Sequence, residues 1–88
     1  MYNEGNGGTS SPILTNCSFQ GNVVTNGGAG GGIYNFSNGT TAAPGNSNPV
    51  FTNCSFQSNS SSLAGAIYNS SLGTSTANTT LTNCVFFG

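Results

Sequence analysis

The chain has no Lys, Arg, His, Asp or Trp, and Glu4 is the only charged side chain among its 88 residues. Each absence removes a kind of chemistry. Without Lys or Arg nothing neutralises phosphates, which excludes nucleic acid as a partner and an anionic membrane surface with it. No apolar run approaches the ~18 residues of a membrane span, so no membrane insertion is expected. A basic segment followed by an apolar core is also missing, so no signal peptide is read. The chain is expected to be a mature product or a piece of something longer.

General acid–base catalysis needs a titrating group at the reacting bond. Glu4 has no His, Lys or second carboxylate to work with. The expectation is therefore no enzyme: no catalytic residue, no cofactor and no metal site. Glu4 itself reads as a solvated loop residue. The three cysteines, Cys17, Cys54 and Cys84, lie far apart in sequence, unlike zinc pairs or a small disulfide framework. With no positive charge to activate a thiolate, they read as a packed column of inert thiols. The run Gly27–Gly32 lacks the Lys-Ser/Thr of a phosphate loop and reads as a flexible corner.

What remains is mostly Gly, Asn, Ser and Thr, which supply more than half of the chain. Disordered chains of low apolar content normally carry high net charge, and this one carries almost none. Low charge with many Asn and β-branched residues is the composition of strands stacked in register. It also leaves little electrostatic protection against self-association.

The order of these residues is repetitive. Thr15-Asn16-Cys17-Ser18-Phe19 returns as Thr52-Asn53-Cys54-Ser55-Phe56 and as Thr82-Asn83-Cys84-Val85-Phe86. A second phrase alternates with it: Met1-Tyr2-Asn3, Ile33-Tyr34-Asn35 and Ile67-Tyr68-Asn69. Repeats of this length mean a solenoid, in which each unit buries its apolar face only by stacking on the next.

Cys and Phe are two apart within each copy, as in a strand, but the preceding Leu14, Phe51 or Leu81 is three before the Cys, which breaks strand alternation. A tight bend resolves the conflict, and Asn tolerates the left-handed backbone such a bend needs. Asn16, Asn53 and Asn83 are therefore expected at stacked corners. Asn35 is expected to turn the chain a second time, and Asn3, Asn35 and Asn69 join the other three in forming amide ladders.

The fold expected is all-β, a parallel β-solenoid forming one domain of three coils: 1–32, 33–66 and 67–88. Each coil has three short strands, and stacking at ~4.8 Å makes a slab roughly 14 Å thick. The inward set is Met1, Leu14, Cys17, Phe19, Ile33, Phe51, Cys54, Phe56, Ile67, Leu81, Cys84 and Phe86. Tyr2, Tyr34 and Tyr68 form an outward column, a candidate surface for sugar rings whose simpler role is cross-strand support. Among seven Asn-x-Ser/Thr sequons, Asn38 and Asn78, expected in loops, are the candidate glycosylation acceptors.

Gly31-Gly32-Ile33 and Gly65-Ala66-Ile67, in phase with Phe19-Gln20-Gly21-Asn22 and Phe56-Gln57-Ser58-Asn59, resemble the repeats of polymorphic outer-membrane proteins. Those belong to the right-handed parallel β-helix proteins of bacterial surfaces and secretions. The resemblance spans the whole chain and departs from the pattern at Phe86-Phe87-Gly88. It implies right-handed winding, an extracellular or cell-surface location and a passive shaft, as in passengers and adhesins.

No charge or proline guards either end of the repeat array. A whole number of coils lets the last coil of one copy seat the first of another, a contact that does not close and so builds a filament. The function expected is a structural subunit or repeat segment of an extracellular β-solenoid fibre, with itself as partner. The alternative is a passenger or adhesin fragment binding glycans or a host surface through the Tyr column. An ice-binding face on Thr15, Thr52 and Thr82 is weaker, with one Thr per coil.

Overall fold

The computed structural model describes residues 1–88. It contains twelve strands and no helix. The first turn of the chain runs through β1 (Tyr2–Asn6), β2 (Thr9–Ser10), β3 (Ile13–Thr15) and β4 (Ser18–Gln20). The second has β5 (Ile33–Asn38), β6 (Asn46–Ser47), β7 (Val50–Thr52) and β8 (Ser55–Gln57), and the third β9 (Ile67–Ser71), β10 (Thr76–Ala77), β11 (Thr80–Thr82) and β12 (Val85–Phe87).

Corresponding strands pair in parallel, giving four three-stranded sheets: β1-β5-β9, β2-β6-β10, β3-β7-β11 and β4-β8-β12. This is a β-solenoid-like stack with overall extents of 41 × 30 × 13 Å, and the thinnest dimension fits three layers at the ~4.8 Å strand spacing. Register follows the repeat throughout. Tyr2, Tyr34 and Tyr68 align, as do Asn3, Asn35 and Asn69. Leu14, Phe51 and Leu81 align, and so do Phe19, Phe56 and Phe86.

Each turn has four strands where three were expected. The extra sheet is built from two-residue strands whose inward side chains are Ser10, Ser47 and Ala77. Nothing in that column is strongly apolar, so hydrophobic alternation carried no sign of it. The strands of the Tyr phrase also run longer than expected. Glu4 lies in β1 as an exposed strand residue rather than in a loop, and Phe36 to Asn38 extend β5. Asn35 therefore does not turn the chain. It sits mid-strand, pointing inward and fully buried.

The corners at the other phrase are as expected. Asn16, Asn53 and Asn83 have φ of 57°, 54° and 51°, the left-handed region that non-Gly residues seldom enter. Their side chains are exposed and make no amide-to-amide hydrogen bonds. The stack is held there by backbone instead, Asn16 N donating to Thr52 O and Asn53 N to Thr82 O, both at 2.9 Å. Since only backbone conformation matters at this corner, Asn53→Gly is expected to leave stability within about 0.5 kcal/mol. Asn53→Val should cost about 1–2 kcal/mol or more, because Asn tolerates the left-handed conformation whereas a β-branched side chain crowds the backbone there. Urea unfolding of the two variants checks the difference.

A further corner repeats at Gly21, Ser58 and Gly88, with φ of 64°, 53° and 87°. The run Gly27–Gly32, expected to be a flexible corner, is packed in its second half. Gly31 N donates to Ala64 O and Gly32 N to Gly65 O, each at 2.9 Å. A Cβ on Gly31 would meet the Ser60 backbone at 2.7 Å, so glycine is present for close approach of two chains.

Candidate assembly faces and outward tyrosine column

The inward residues pack by layer. In the middle turn Ile33, Phe51, Cys54 and Phe56 are all buried and form the core. Leu14, Cys17 and Phe19 on one side, and Ile67 and Cys84 on the other, are partly buried against it. Met1, Leu81 and Phe86, expected inside, are 41%, 42% and 47% exposed. They belong to the outer layers, so each has a neighbouring layer on one side only.

The phenylalanines show this most directly. Phe56 lies between Phe19 and Phe86, with ring centroids 4.9 and 4.7 Å away and planes within 5°. It is 2% exposed, whereas Phe86 has one face covered by Phe56 and the other bare.

Beside the apolar column runs a polar one. Asn3 Nδ2 donates to Asn35 Oδ1 at 3.0 Å, and Asn35 Nδ2 donates to Asn69 Oδ1 at 3.0 Å. The overlooked two-residue sheet supplies the rest of this network. Ser10 Oγ donates to Asn3 Oδ1 at 2.6 Å, and Ser47 Oγ to Asn35 Oδ1 at 2.5 Å. Asn35 Nδ2 also donates to Ser47 O at 2.9 Å. Of the two expected ladders, the structure thus makes the one through Asn3, Asn35 and Asn69 and not the one through Asn16, Asn53 and Asn83. A buried Asn survives here because a periodic neighbour satisfies each polar atom.

A second, shorter ladder joins the Phe-x-x-Asn motifs: Asn22 Nδ2 donates to Asn59 Oδ1 at 2.9 Å, and Asn59 Nδ2 to Phe19 O at 2.8 Å. Recurrence of that Asn in phase was its visible signal. Ser37 is the exception to this satisfaction, buried with a hydroxyl that has no partner.

Cys17, Cys54 and Cys84 occupy equivalent positions just before β4, β8 and β12 and are free thiols. Cys54 Sγ lies 3.4 Å from Thr52 O and 3.6 Å from Leu14 O. Cys84 repeats this with Thr82 O and Phe51 O, both at 3.5 Å. Cys54 and Cys84 are thus small weak donors facing the carbonyls of the bend and of the layer beside it, while Cys17 faces only Thr15 O of its own bend, at 3.5 Å.

On the outer surface of β1-β5-β9 the tyrosines do form a column. Ring centroids are 5.3 Å apart for Tyr2 and Tyr34, and 5.4 Å for Tyr34 and Tyr68. Phe36 joins it 5.9 Å from Tyr34, carried there by the extension of β5 beyond Asn35. Desolvation, and next the Glu4 carboxylate, raise the Tyr2 phenol above its ordinary value.

Thr15, Thr52 and Thr82 align on the outside of the β3-β7-β11 sheet. Of the candidate glycosylation acceptors, Asn78 is exposed. Asn38 is not in a loop: it ends β5, half-buried, with Oδ1 accepting from Gly39 N at 2.8 Å. No three His, Cys, Asp or Glu side chains come together to hold an ion.

Comparison with protein-family models, curated proteins and solved structures returns no match.

Proposed function

We propose that this chain is a structural, non-enzymatic segment of an extracellular or cell-surface β-solenoid fibre, extended by seating further coils on its two outer layers. Layer-dependent burial carries the reading. The same Phe column goes from 2% exposure at Phe56 to 47% at Phe86, and only another coil presents a Phe at the right place to cover it. That coil belongs to a second copy or to further repeats of a longer chain, since the physics of the contact is the same. Right-handed winding is proposed with it, in line with the strong right-handed preference of parallel crossover connections and with the resemblance to bacterial β-helix repeats.

Sedimentation velocity and electron microscopy of the 88-residue chain over a concentration series test self-stacking. The expected result is concentration-dependent filaments giving a ~4.8 Å axial reflection. Monodisperse monomers throughout would rule it out.

The second reading is a passenger or adhesin fragment that binds glycans, favoured by one observation. Tyr2 is 57% exposed at the head of an outward aromatic column. Aromatic faces of this kind stack on apolar faces of sugars. Replacing Tyr34 and Tyr68 with Ala should abolish glycan-array binding while the far-ultraviolet dichroism is unchanged. Binding that survives the double substitution would exclude Tyr34 and Tyr68 as the site.

A further inference from the structure

The polar column has a direction. Along Asn3, Asn35 and Asn69, each Nδ2 donates forward to the next Oδ1. Asn35 Oδ1 accepts two hydrogen bonds, one from Asn3 Nδ2 and one from Ser47 Oγ of its own layer. Asn69 Oδ1 also accepts two, from Asn35 Nδ2 at 3.0 Å and Thr79 Oγ1 at 2.7 Å. At the ends the pattern is incomplete in opposite senses. Asn3 Oδ1 accepts only from Ser10 Oγ, leaving one lone pair open. Asn69 Nδ2 donates to nothing within the chain, and Asn69 is exposed where Asn3 and Asn35 are buried.

One outer layer therefore carries an unspent amide donor and the other an unfilled acceptor at the same register position. We infer that a second copy of this chain docks on the Asn69 face with its Asn3 face, Asn69 Nδ2 donating to the incoming Asn3 Oδ1. This rests on the stacking reading above and adds polarity and register to it. Phe86 then meets Phe19, and Tyr68 meets Tyr2, each repeating a pairing already made twice inside the chain. A reversed copy would set donor against donor, or acceptor against acceptor, at the centre of a face that excludes water. The direction of the amides thus makes the joint head-to-tail and open-ended.

Asn69→Asp tests the joint. Both hydrogen bonds that Asn69 makes within the chain are accepted at Oδ1, and a carboxylate keeps both. Only the outward atom changes, from donor to acceptor. At pH 7 the variant should need a concentration at least about tenfold above wild type to form filaments, since a charged acceptor then faces Asn3 Oδ1. At about pH 3, below the ordinary Asp value of ~3.9, the carboxylic acid can donate. Its threshold should then return to within about threefold of wild type at that pH. Circular dichroism confirms the fold in each case.

Wild-type-like assembly of the variant at pH 7, or no recovery in acid, overturns the donor–acceptor joint while leaving stacking intact. Wild type that stays monomeric removes stacking and the joint together. Polarity is read without any substitution. In filaments mixed from isotopically light and heavy chains, dityrosine cross-links between chains should join Tyr68 to Tyr2. Tyr2–Tyr2 or Tyr68–Tyr68 links would contradict the assignment.

Discussion

Phe56→Ala is expected to destabilise the chain by about 3–5 kcal/mol, enough to unfold most of a small domain of marginal stability. Phe56 is 2% exposed, stacked on both faces by Phe19 and Phe86, with Phe51 edge-on at 5.8 Å. Truncation leaves a void lined by rings that belong to three different layers. The sheets on either side cannot collapse into it without losing register. Phe86→Ala removes the same ring from an outer layer, where it is 47% exposed, and should cost roughly half as much or less in the dispersed chain. Far-ultraviolet dichroism against urea separates the two. Equal losses would mean that the Phe column is not the spine of the core.

Asn35→Ala comes next, at about 3 kcal/mol or more. Asn35 is fully buried, accepts from Asn3 Nδ2 and Ser47 Oγ, and donates to Ser47 O and Asn69 Oδ1. Removing it orphans several polar groups at once, and each costs about 1–3 kcal/mol when it stays buried. Water entering the space would lessen this, but the loss should still exceed that of Asn16→Ala, whose side chain is exposed and has no ladder to break. The measurement is again urea unfolding. A loss at position 35 no greater than at position 16 would show the inner ladder to be dispensable.

These two asparagines mark how far the repeat could be read. The corner at Asn16, Asn53 and Asn83 was legible because apolar spacing on its two sides conflicts unless the chain bends. At Asn35 no such conflict exists. Ile33 inward and Tyr34 outward place residue 35 inward by alternation, but an inward amide is sensible only if something polar faces it. That partner is Ser47, twelve residues on, in a two-residue strand without any apolar signature. Stacked Asn was therefore expected, while which stack lies inside depended on a sheet that composition does not reveal. Phe36 follows from the same point: with Asn35 inside the strand instead of turning the chain, the strand runs on to Asn38, just before Gly39, and carries the aromatic with it.

The sequence by itself determined the stacking of like on like, because three in-phase copies of two phrases have only one register that puts Tyr on Tyr, Phe on Phe and Asn on Asn. It determined the left-handed corners as well, since those are local backbone preferences. Only the tertiary structure decided the number of sheets per turn, which Asn are buried, and how unequally the apolar column is covered from layer to layer. Those depend on which side chains meet across the interior and on how many neighbours a layer has, and neither is a property of any one stretch of chain.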